Sequence, residues 1–200
     1  MKHEKLMKTA RILDKIAKIA AGFMSAFVIV LIVFAVLVLI FGDRMFVPDT
    51  LSLELGHVQL YMTDAFPGDM TAIKVYAIIG LTAGSVLCAF VRLILAKVRS
   101  ILAPMKEGRP FEANIPEDLR RIAWLSLASG LLVQLVSVAE RICFAKAFPL
   151  EQIVSPEAVS RIEYFNVIDL NFVWVFFIIL FLSYIFRYGQ MLQQEADETL

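Results

Sequence analysis

Gln134, Ser137, Glu140 and Arg141 carry polar or ionisable side chains inside a long apolar run, 122–144. At helical spacing Gln134, Ser137 and Arg141 share one face, and Glu140 lies beside it. An amide, a hydroxyl, a carboxylate and a guanidinium are the groups a proton relay or a polar path would use. Ionisable residues within a membrane segment mark such pathways by default. Glu140 and Arg141 fall near one end of the run, however, and a local ion pair or an interfacial anchor is the favoured account of them. Other reactive chemistry is scarce. His57 has no second ligand near it, and Cys88 and Cys143 sit in separate apolar runs, as packing residues would. The sequence has no phosphate-binding loop, no paired histidines, no cysteine cluster and no nucleophile elbow. These absences argue against an enzyme, and no cofactor or metal is expected.

The elements that must position those residues are membrane spans. The chain has 200 residues, 60% of them hydrophobic, with a mean hydropathy of +0.76. That composition excludes an ordinary soluble domain. Formal net charge is zero, which gives no reason to expect direct nucleic-acid binding. Apolar runs at about 19–41, 72–96, 122–144 and 170–186 suit helices crossing a bilayer core of roughly 30 Å. The first is too long for a cleavable leader and is followed by Asp43, Arg44 and Met45, so it is expected to stay in the mature chain. The expected fold is an all-α integral membrane protein: one domain, with four transmembrane helices in two hairpins.

Charge sets the expected orientation. Residues 1–18 carry Lys2, Lys5, Lys8, Arg11, Lys15 and Lys18 against Glu4 and Asp14, as a basic lead-in lying on anionic lipid would. The segment 97–121 is also basic, with Lys97, Arg99, Lys106, Arg109, Arg120 and Arg121. It reads as a cytoplasmic elbow joining the two hairpins, which puts both termini in the cytoplasm. Pro104 is expected to end the helix before the elbow. Asn114 reads as the cap of the next helix, beginning near Ile115, with Glu117 able to close a capping box.

The outer loops, 42–71 and 145–169, are poor in cations. In the first, Leu51, Leu53 and Leu55 and then Val58, Leu60 and Met62 alternate around Gly56 and His57, a β-hairpin pattern. In the second, Ser155-Pro156-Glu157 predicts a short helix, and 162–167 could add a strand. The two loops together predict a small extracytoplasmic cap. In the second span Gly80, Gly84 and Cys88 recur every fourth residue, a stripe that lets another helix approach closely, either within this chain or in a homo-oligomer.

Two stretches resemble a known family. GRPFEANIPEDLRRIAWLS (108–126) and FRYGQMLQQEADETL (186–200) are similar to signatures of a bacterial membrane-protein family described only as domain of unknown function two-nine-seven-five. The matching positions are Gly108, Pro110, Phe111, Asn114, Leu119 and Arg120, then Gly189, Leu192, Glu195, Thr199 and Leu200. The resemblance implies a four-span inner-membrane protein and carries no catalytic residue with it. It also implies a signalling role, through a small helix-turn-helix regulator as cytoplasmic partner. The expected function is therefore that of a sensory or interaction protein embedded in lipid. Its expected docking face comprises Arg109, Phe111, Asn114, Arg120, Arg121, Leu192 and Glu195. A small transporter or channel component is the alternative.

Overall fold

A computed structural model describes residues 2–46, 52–55, 58–61, 67–108, 114–153 and 168–198. Helix α1 (Lys2–Met45) is followed by strands β1 (Ser52–Leu55) and β2 (Val58–Tyr61), then by α2 (Met70–Lys106), α3 (Ile115–Ala147), α4 (Leu150–Ile153) and α5 (Asn171–Glu198). Four helices are long and apolar enough to cross a membrane, as a multi-pass membrane protein requires. Each exceeds its apolar run: α1 has 44 residues and the shortest of the four, α5, has 28. At about 1.5 Å per residue even 28 residues reach some 42 Å, so the helices carry polar ends beyond a bilayer core.

The strands pair antiparallel in the register Ser52↔Tyr61, Leu53↔Leu60, Glu54↔Gln59 and Leu55↔Val58. The helix and strand expected at 155–157 and 162–167 lie outside the described residues, as do Arg109, Phe111, Thr199 and Leu200. Helix α4 begins before that region, directly after Pro149.

Pro104 does not end α2. It is buried in the last turn, and the helix runs on to Lys106. A proline this close to a helix end removes a single backbone donor, and the turn survives that loss. The chain then tightens through Glu107 N–H to Pro104 O (3.0 Å) and Gly108 N–H to Met105 O (3.2 Å). Gly108 turns the backbone out of the helix at φ 80°, a left-handed conformation that only glycine adopts freely. Glycine, not proline, is the stop signal.

The chain forms two compact units. The first comprises Met1–Val28, Val86–Leu132 and Asp169–Leu200; the second comprises Ile29–Ser85 and Val133–Ile168. In the second, Ile73, Ala147 and Phe148 form a small buried cluster, with Phe46, Met70, Ala72, Phe144 and Leu150 against it. Tyr76 meets the edge of Phe144 at 5.9 Å between ring centroids, and Phe144 meets Phe148 at 5.0 Å. In the first unit Trp124 packs edge-on against Phe176 at 5.1 Å. Outside such contacts most large apolar side chains lie on the surface: Phe23 is 71% exposed and Leu135 70%. Water would not tolerate so much continuous apolar surface, whereas hydrocarbon solvates it.

Candidate functional site

The polar chemistry of the first unit begins at the end of α2. Arg99 and Lys106 are seven residues apart, two helical turns, and so share a face, while Lys97 is turned to another. The shared face meets Asp14 of α1: Arg99 Nε donates to Oδ1 at 3.1 Å and Lys106 Nζ to Oδ2 at 2.7 Å. Lys97 meets Asp118 of α3, donating from Nζ to Oδ1 at 3.0 Å. Arg121 lies 4.0 Å from the same oxygen, so each carboxylate faces two cations. One helix end thereby ties down both of its neighbours.

Burial differs between the two clusters. Asp118 has a side chain only 6% exposed, whereas that of Asp14 is 18% exposed and that of Arg99 40%. The Asp118 pair is therefore the less screened by solvent. Asn114 O accepts the backbone N–H of Asp118 at 3.0 Å, the first bond of α3. Glu117, the residue expected to complete a capping box, instead turns outward, with Arg121 4.0 Å away. The neighbouring acid, Asp118, faces inward because Lys97 is there to receive it.

The first turn of α3 also meets α5. Ser183 Oγ donates to Pro116 O at 2.7 Å, with both residues buried. Beside this bond is a cavity of about 300 Å³, lined by Pro116, Glu117 and Arg120 of α3 and by Leu180, Ser183, Tyr184, Arg187 and Gln190 of α5. Further along the same pair of helices, a methyl group placed on Gly130 would overlap the Cβ and ring of Phe172. The aromatic side chain fills the notch that the missing Cβ leaves.

Of the docking residues read from the sequence, Asn114, Arg120, Arg121, Leu192 and Glu195 are exposed and belong to the first unit. The polar row belongs to the second. There Ser137 Oγ turns back to Gln134 O of its own helix at 2.9 Å, and Glu140 lies over Gly80, with Oε1 3.4 Å from where a Cβ would stand. A Cβ on Gly84 would meet Leu31 Cδ1, also at 3.4 Å. The Gly80/Gly84 stripe therefore faces the ends of two side chains, one from α3 and one from α1. The residues that sequence reasoning missed are Asp14, Asp118 and Gly130. The heptad spacing of Arg99 and Lys106 signalled a shared partner but did not say where in the chain it was.

Among the described residues no group of three or more His, Cys, Asp or Glu side chains could hold a metal ion. No family model matches the chain, and no curated protein or solved structure does either.

Proposed function

We propose that the chain is a sensory or interaction protein of a bacterial inner membrane, without enzymatic activity, that docks a cytoplasmic partner on the polar face of its first unit. One observation carries the reading. Three segments far apart in sequence, the basic lead-in, the two ends of the elbow and the tail, pack as one compact unit that holds most of the 19 Lys and Arg residues. Such a bias is what retains a face in the cytoplasm, so the four helices form two hairpins with both termini on that side. The β1–β2 pair then belongs to a small cap on the opposite side. The resemblance to domain of unknown function two-nine-seven-five supports the same reading and suggests a small helix-turn-helix regulator as partner.

On this reading Arg120 and Arg121 supply a cationic rim, Leu192 an apolar contact, and Glu195 and Glu198 an acidic segment. The alternative, a small transporter or channel component, is weakened because the Ser137 hydroxyl closes on its own helix rather than on a path.

Two experiments test the proposal. After Cys88 and Cys143 are replaced, an impermeant thiol reagent added to intact cells should label a cysteine at Gly56 and spare one at Gly108. The reverse pattern would overturn the orientation. Deleting Gln193–Leu200 should abolish crosslinking of a cytoplasmic partner in native membranes while expression persists; an unchanged crosslinking pattern would remove the tail from the docking face.

A further inference from the structure

We infer that the cavity between the first turn of α3 and α5 binds the phosphate headgroup of an anionic phospholipid. Arg120 and Arg187 both line it, and among the described residues neither forms an ion pair. The acidic residue on the rim, Glu117, is 68% exposed and has the Arg121 guanidinium 4.0 Å away, so the charge left uncompensated at the cavity is positive. Planar guanidinium groups grip phosphate oxygens two at a time. The N-terminal end of α3 adds its partial positive charge on the same side.

The level of the cavity identifies the source of the phosphate. In α3 the polar stretch ends at Arg121 and the apolar run begins at Ile122; in α5 the apolar run ends at Phe186 and Arg187 follows. Both boundaries meet at this one cavity. Basic pockets between transmembrane helices at that depth receive lipid headgroups. Below the arginines, Leu180 and the aromatic body of Tyr184 continue the wall into the apolar part of α5, where the glycerol and upper acyl carbons would lie. A volume of about 300 Å³ is at the small end of ligand sites, the size of a headgroup rather than of a larger metabolite. The site shares Arg120 with the rim of the proposed docking face but needs no protein partner to bind lipid, so its test is separate from the loss of partner crosslinking.

Native mass spectrometry of the full chain in an uncharged detergent tests the assignment, with dioctanoyl-phosphatidylglycerol, dioctanoyl-phosphatidylcholine and inorganic phosphate as probes. Phosphatidylglycerol should bind, and the double variant Arg120→Gln/Arg187→Gln should weaken it at least tenfold without changing the weak uptake of phosphatidylcholine. Equal binding of the two lipids, or an unchanged double variant, would overturn the site. Inorganic phosphate that displaces phosphatidylglycerol at equal concentration would reassign it to a free anion and overturn the lipid. Should the double variant fail to fold, Arg120→Lys/Arg187→Lys keeps the charge but loses the fork. A severalfold loss of phosphatidylglycerol affinity is then expected, and affinity equal to the parent's would overturn the proposal.

Discussion

The two units are fastened by different chemistry. In the first, Asp14 and Asp118 each gather two cations, Ser183 bonds to Pro116, and Phe172 fills the notch at Gly130. In the second, an aromatic and aliphatic cluster packs around Ile73, Ala147 and Phe148, and the ion pair Lys74–Asp43 has one partner 85% exposed. Charged fasteners can choose partners by position, because a carboxylate left alone is costly. Apolar contacts in a lipid solvent choose chiefly by shape, since hydrocarbon is no worse an environment than another side chain. The first unit should therefore respond to the loss of charge, and the second to the loss of volume.

The largest effect expected in the second unit tests that division. Phe148→Ala removes a ring only 7% exposed and should cost about 3–5 kcal/mol in detergent unfolding. A smaller loss than that of Asp43→Asn would refute the claim that volume holds this unit together.

Gly130→Ala should cost about 1–3 kcal/mol by driving a methyl group into Phe172, and Gly130→Ala/Phe172→Ala should lose less than the sum of the two single changes. Gly80→Ala and Gly84→Ala are the controls: their neighbours at 3.4 Å are side-chain ends that can yield, so melting temperatures should hardly move. Strictly additive losses at 130 and 172 would remove the notch.

Among the ion pairs the order should follow burial. Asp118→Asn is expected to cost about 1–3 kcal/mol, Asp14→Asn less, and Asp43→Asn only about 0–1 kcal/mol. High salt should abolish the Asp43 effect first and the Asp118 effect last. If all three variants lost the same stability, burial would not govern these pairs.

The sequence made the spans and their caps legible and left the partners obscure. Apolar runs marked the four helices that are long and apolar enough to cross, because a bilayer demands length and hydropathy of every crossing. Asn114-Ile115-Pro116 marked the start of α3, because helix ends are settled by local bonds. Pro104 misled for the same reason: a local rule gave the stop to the proline, although Gly108, four residues later, is what ends the helix. No local rule could pair Asp14 with Arg99 and Lys106, 85 and 92 residues away, or Gly130 with Phe172. The Gly80/Gly84 spacing pointed to glycines that meet side-chain ends of α3 and α1 at 3.4 Å, while the tighter contact, at Gly130, carried no motif. Of the proposed docking residues, Arg109 and Phe111 lie outside the described residues and rest on sequence alone.

Pro116 meets Ser183 and Gly130 meets Phe172, so α3 and α5 run antiparallel and are pinned at two heights some 20 Å apart along α3. Sliding one helix along the other by even 1–2 Å, the usual scale of such shifts, would stretch a 2.7 Å hydrogen bond and press a phenyl ring against a helix backbone. A piston stroke is thereby denied to this pair. What these two contacts leave open is a tilt of the two segments together, as a single lever.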